Sequence, residues 1–111
     1  MRIAIPVDED NGIESLVSWH MGRARYFIVY DTETKEIETI VVRPHEGTVC
    51  TPVIVLKENN IDQVFLFEAG MRAIQTIEEL NIRAVTGDYK TVREVIEHIE
   101  ELKELDVSCG H

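Results

Sequence analysis

The hydrophobic period of this 111-residue chain changes at residue 50, and that change limits the folds open to it. Before it, "RIAIPVD" (2–8), "YFIVYD" (26–31) and "EIETIVV" (36–42) are short apolar runs rich in β-branched and aromatic residues, the composition of strands. The first run is apolar at nearly every position, as a strand covered on both faces must be. Pro6 donates nothing to a ladder, so pairing is expected to end near it. Only "TETK" separates the second and third runs, which read as an antiparallel hairpin. After residue 50, helical segments alternate with short strands. "TPVIVLKENN" (51–60) offers Thr51 as a cap and Pro52 at the first helical position, with a strand as the rival reading of its Val-Ile-Val centre. "GMRAIQTIEELN" (70–81) sets Ile74, Ile77 and Leu80 on one helical face, between the strands "QVFLF" (63–67) and "RAVTG" (83–87). "TVREVIEHIEELKELD" (91–106) reads as one helix. Thr91 and Glu94 form a capping box, and Val92, Val95, Ile96, Ile99, Leu102 and Leu105 make its apolar stripe.

The order is therefore β-β-β-α-β-α-β-α, an α/β domain over residues 1–106 with a short tail at 107–111. Ile and Val together number 26 against six Leu, which favours a core built on a sheet. Strands joined through a helix run parallel by right-handed crossovers, so 2–8, 36–42, 63–67 and 83–87 point one way and 26–31 the other. Loops 9–25, 43–50, 68–70 and 87–90 then all leave the sheet at the carboxyl edge of its parallel strands. Ligands of open α/β sheets bind outside that edge, and the length of loop 9–25 points to function there.

Charge and cysteine usage narrow the partners. With 21 acidic and 11 basic residues the formal charge is −10, which repels polyphosphate backbones and anionic membranes. Asp8 interrupts the N-terminal apolar run, which is too short for a signal peptide or a membrane span. A cytoplasmic protein without nucleic-acid or membrane partners is the expectation. Cys50 and Cys109 are then thiols or metal ligands rather than a disulfide, with two inert thiols as an equal alternative.

The carboxyl-edge loops collect Asp8, His20, Arg23, Arg25, His45, Cys50, Glu68 and Asp88, with Gly22, Gly47, Gly70 and Gly87 among them. His20 and Cys50 are nitrogen and sulfur donors suited to iron, zinc or an iron–sulfur cluster, and two donors make an open or shared site. Gly22 and Gly70 allow close backbone approach, and Arg23 is shaped to pair bidentately with an anionic ligand. Each has a plainer reading as an ordinary loop residue. Trp19 reads as a lid on the core sooner than as a stacking platform, His45 as surface, and His98 as structural or solvated. In the tail "DVSCGH" (106–111), Cys109 and His111 flank Gly110 and are able to converge on one ion shared between chains. The alternative there is a frayed terminus with an incidental cysteine.

Taken together, "IAIPVD", then His20-x-Gly22-Arg23-Ala24 within "VSWHMGRARYF", then the hairpin, resemble the opening of the dinitrogenase iron–molybdenum cofactor biosynthesis family, the NifX/NafY-like accessory proteins and their stand-alone archaeal relatives. The element order extends the resemblance through residue 106, and His20 matches the family's loop histidine. The resemblance implies a single mixed five-stranded sheet of ribonuclease-H-like topology, order 3-2-1-4-5 with strand 2 antiparallel, and three helices. It implies a carrier rather than an enzyme: a protein that binds an iron–sulfur cluster or an iron–molybdenum cofactor precursor and exchanges it with cluster donor and acceptor proteins. A cluster-dependent homo-oligomer is a further expectation from the tail.

Two rival functions stand beside this one. A Mg²⁺-dependent, ribonuclease-H-type hydrolase would use Asp8, Glu68 and Asp88 as metal ligands. A protein-binding module would use none of these residues chemically. No G-x-S-x-G elbow and no Walker loop occurs in the chain, so neither of those catalytic motifs is available.

Overall fold

The computed structural model describes residues 1–19, 24–42, 51–67 and 71–105. Its strands are β1 (Arg2–Val7), β2 (Tyr26–Asp31), β3 (Ile37–Val41), β4 (Gln63–Phe65), β5 (Arg83–Thr86) and β6 (Lys103–Glu104). Its helices are α1 (Thr51–Glu58), α2 (Met71–Glu79) and α3 (Val92–Glu97). The sheet order is β3-β2-β1-β4-β5-β6. β1, β4 and β5 run parallel, β2 is antiparallel to both β1 and β3, and β6 is antiparallel to β5. The expected five-strand order is present, and a sixth strand extends it.

Proline is tolerated in the central strand for a local reason. β1 pairs with β4 only at Ile3 and Ala4, so the ladder on that side has ended before Pro6. The Pro6 carbonyl instead accepts from the Ser18 amide at 2.7 Å. The hairpin is held by Asp31, whose Oδ1 accepts from the amides of Glu33 at 2.8 Å and Thr34 at 3.4 Å. Lys35 closes the turn at φ 61°. These amide bonds, that of Glu33 foremost, hold the Asp31 carboxyl below its ordinary pKa of 3.8, and the Met1 ammonium and Arg2 add to the effect.

Two hydrophobic clusters lie on opposite faces of the sheet. On one, Ala4, Phe27, Val29, Val64 and Ala84 pack against Leu56, Ile61, Ile77 and Ile82, the apolar residues of α1, α2 and their ends. Segment 51–60 is thus helix rather than strand. Both helices end on an asparagine in the left-handed region, Asn60 at φ 54° and Asn81 at φ 62°. The following amide reaches back across the last turn: Ile61 to the Leu56 carbonyl at 3.4 Å and Ile82 to the Ile77 carbonyl at 3.1 Å. Both residues of each pair belong to this cluster, as this kind of helix stop favours.

The other face carries Ile3, Ile5, Val7, Ile28, Phe65 and Val85 against Val17, Val92 and Val95. Thr91 caps α3, its hydroxyl accepting from the Glu94 amide and donating to the Glu94 carboxylate, both at 3.2 Å. The helix expected over 91–106 nevertheless stops at Glu97, with a single 3-10 turn at Ile99–Glu101 before β6. Glu97, Glu100, Glu101 and Glu104 would have crowded its carboxyl-terminal half. There they meet the negative end of the helix dipole and one another at spacings of three and four. Pairing with β5 offers the same residues a better arrangement and covers an open sheet edge, with Glu104 opposite Val85 and Lys103 opposite Thr86. The expected stripe is split as a result. Leu102 packs with the α3 face, whereas Leu105 packs with the α1–α2 face.

Candidate functional site

The carboxyl edge is assembled from the ends of β1, β3, β4 and β5. Beyond Val7 the chain makes a 3-10 turn at Gly12–Glu14, and then segment 15–18 folds back beside β1. Val17 bridges to Val7, and its amide donates to the Lys90 carbonyl at 2.8 Å. Leu16 bridges to Thr91, and the Val92 amide donates to the Ser15 carbonyl at 3.0 Å. Arg93 pairs with Glu14 across the same seam. The long first loop is therefore tied to the turn that precedes α3.

The other loops begin beside it. The Arg25 amide donates to the Val7 carbonyl at 3.1 Å, and the Val42 amide to the Arg25 carbonyl at 2.8 Å. Trp19 meets Phe67, with ring centroids 4.6 Å apart and planes tilted by 34°. Phe67 in turn meets Phe65 edge-on, at 5.5 Å and 79°. Described flanks of loops 9–25, 43–50, 68–70 and 87–90 thus stand at one edge, as the strand directions required. Both α1 and α2 run toward the opposite edge, where the Arg2 guanidinium donates to the Asn59 carbonyl after α1, so their amino ends face the site.

Of the residues expected to act here, Asp8, Arg25 and Asp88 are described and exposed. His20, Gly22 and Arg23 lie outside the described residues, as do His45, Gly47, Cys50, Glu68, Gly70, Cys109 and His111. The tail that carries Cys109 and His111 follows β6, not a long helix: Leu105 donates to the Ala84 carbonyl at 2.8 Å, on a strand heading to the amino edge. Among the described residues, no three His, Cys, Asp or Glu side chains come together to hold a metal ion. No helix among them is long and apolar enough to cross a membrane.

Trp19 is both packed and exposed. One ring face rests on Phe67, and the residue is still 64% exposed. Leu16, three positions earlier, is 69% exposed. Phe67 itself escaped the sequence reading. The signal available was its spacing of two from Phe65, which puts both rings on one face of the strand. In the loops of this edge and their flanks the described charges are Asp8, Glu9, Asp10, Glu14 and Asp88 against Arg25 and Lys90, and Asp10 stands beside β3, its Oδ1 accepting from the Thr39 hydroxyl at 3.2 Å. Tyr89 stacks on His98 at 4.7 Å, and its hydroxyl donates to Glu101 at 3.4 Å. Loss of hydration, then the Glu101 carboxylate, then Asp88 raise its phenol above the ordinary value of 10.0, so it stays a neutral donor in this turn.

Residues 1–102 match the family model described as dinitrogenase iron-molybdenum cofactor. Among solved structures the chain is similar to the protein PH0822, at 35% identity over 95% of this chain and 96% of that one, with a TM-score of 0.79. It is also similar to the Thermotoga protein TM1290 of the DUF35 family, at 30% identity over 94% and 92% of the two chains, with a TM-score of 0.78. The apo form of the orange protein from Desulfovibrio gigas shares the fold, with a TM-score of 0.81 over 94% and 92% of the chains at 22% identity. Comparison with curated proteins gives no match.

Proposed function

The chain belongs to the dinitrogenase iron-molybdenum cofactor family, and from that premise we propose that it is a small accessory protein. It holds an iron–sulfur-type cluster or an iron–molybdenum cofactor precursor and passes it on. The observation that carries this reading is the gathering of four loop flanks at the carboxyl edge, through the Val17–Lys90, Arg25–Val7, Val42–Arg25 and Trp19–Phe67 contacts. Ligands of open α/β sheets sit at such an edge. In this reading the cluster is cargo, and the chain makes or breaks no covalent bond of a substrate.

His20 and Cys50 are the proposed donors, with Gly22 and Gly70 giving the cluster room against the backbone and Arg23 meeting its negative charge. Two protein donors leave coordination positions for the next protein, which suits transfer better than storage. Cluster donor and acceptor proteins of the cytoplasm are the proposed partners. Cys109 and His111 are proposed as further soft donors for a cluster shared between chains. Anaerobic reconstitution with iron and sulfide tests the assignment. His20→Ala and Cys50→Ser are expected to lose the chromophore and keep the wild-type melting temperature. If both variants retain it as wild type does, the edge is not the ligand site. Mg²⁺-dependent cleavage of a phosphodiester, abolished by Asp8→Asn, would overturn the carrier reading in favour of a hydrolase.

A further inference from the structure

The geometry points to the open edge of β3 as a docking strand for a second copy of this chain, joined antiparallel about a two-fold axis at Thr39. The two edge strands of the sheet, β6 and β3, differ. β6 is two residues long and both are charged, Lys103 and Glu104; shortness and charge are defences of an edge against further pairing. β3 has neither to the same degree. Its five residues, Ile37–Val41, contain no proline and no lysine, and they pair with β2 in unbroken register, without a bulge. The single charge among them, Glu38, is matched by the Arg2 guanidinium at 2.5 Å. Ile37 and Val41 are 41% and 53% exposed, and their spacing of four sets them on one side of the strand.

Backbone direction shows which groups are free to pair. The Val42 amide donates to the Arg25 carbonyl at 2.8 Å, and the Asp31 amide to the Glu36 carbonyl at 3.1 Å. An antiparallel ladder alternates, so Glu36, Glu38, Ile40 and Val42 turn their amides and carbonyls toward β2. Ile37, Thr39 and Val41 turn theirs outward, where no strand among the described residues meets them. A second copy fits these groups because the strand is self-complementary about Thr39. In that register Thr39 meets Thr39 of the second copy, Ile37 meets Val41, and Glu38 meets Ile40. The exposed apolar residues cover each other, and no like charges of the two strands stand opposite. Centring the axis on Ile37 would set Glu36 against Glu38, and centring it on Glu38 would set that carboxylate against its own copy. The product is one sheet continuous across a two-fold dimer. Its strands reverse at the axis, so the two carboxyl edges point to opposite sides and both stay open. Such a dimer needs no metal, unlike one bridged by a shared cluster.

A strand pair of this length buries less than a standard interface, so the expected dissociation constant is on the order of 0.1 mM. The test uses the full chain, metal-free and with a chelator present. Sedimentation equilibrium over a concentration series should show monomer and dimer in exchange. Added salt should tighten the dimer, because what opposes it is the formal charge of −10 on each copy and Asp10, held near the axis by the Thr39 hydroxyl. Amide hydrogen exchange followed by NMR reads the register. On raising the concentration, exchange at Ile37, Thr39 and Val41 should slow, while Glu38 and Ile40, already bonded to β2, should not change. Val41→Lys should weaken association roughly tenfold and leave the melting temperature of the dilute chain as it is, and Asp10→Asn should tighten it. A chain that stays monomeric up to about 1 mM, or a dimer that forms only with metal bound, overturns the inference. So does a dimer that Val41→Lys leaves equally tight and in which Ile37, Thr39 and Val41 exchange as freely as before. The accessory reading stands or falls separately, on cluster retention.

Discussion

The two faces of the sheet are closed by different means. One is covered by α1 and α2, two helices of eight and nine residues that each end on a left-handed asparagine. The other is covered by the six-residue α3 and by the returning segment 15–18. Because α3 stops at Glu97, no α-helix among the described residues covers the amino-edge half of that face, only the 3-10 turn at Ile99–Glu101. A cavity of about 530 Å³ opens there, lined by residues that include Tyr30, Lys35, Gln63, Arg83, Ile99 and Leu102. The difference teaches where a helix end is written. On the first face the stop signal lies within the helix and the two residues after it; on the second it comes from a strand edge elsewhere in the chain.

Core truncation should separate the faces most strongly. Ile77, fully buried under α2, is expected to cost about 2–5 kcal/mol on replacement by Ala. Val95, fully buried under α3, should cost about 1.5–3 kcal/mol. Urea denaturation of both variants measures this, and a Val95→Ala loss above that of Ile77→Ala would break the contrast. A smaller effect is expected at Gly87. A Cβ there would stand 2.6 Å from Tyr89 Cε2 and 2.8 Å from Cδ2, and moving that ring disturbs its stack on His98. Gly87→Ala should cost about 1–3 kcal/mol, with the near-ultraviolet dichroism of Tyr89 changed; an unaltered spectrum and stability would mean that the ring is not fixed.

Thr91→Ala removes the side-chain cap at the start of this short helix and should cost about 1 kcal/mol. Hydrogen exchange confined to residues 92–97 would sharpen the comparison, while exchange spreading to β6 would show that the two stand or fall together. The smallest effect is one of pH. Asp31 has a folded pKa below its ordinary 3.8. Its contribution to stability is therefore present above that value and is lost as the pH falls through the lower, folded one. Asp31→Asn should flatten the acid limb of the melting-temperature profile below pH 3.8, and an unchanged limb would remove Asp31 from the account.

Much of the architecture follows from signals a few residues long. Alternating β-branched runs set β1 to β5, the short polar link sets the hairpin, and the 3.6-residue spacing of Ile74 and Ile77 sets the buried side of α2. The Thr91 cap was equally legible, because a hydroxyl and an amide three residues apart need no tertiary partner to meet. From these the strand directions follow, and with them the shared edge for four loops. Residues 98–105 are different. Their composition supports a helix as well as a strand, and the choice fell to the unpaired edge of β5 and to four glutamates that repel at helical spacing. Trp19 is a second such case. Its place in the sequence identifies a loop aromatic, but its partner Phe67 is 48 positions away (67 − 19) and reaches it only when β1 and β4 lie side by side. Periodicity, caps and turns are local properties, and the sequence by itself determined what they encode. Where two segments have comparable local preferences, or a ring needs a distant surface, contact between remote parts of the chain decided the outcome.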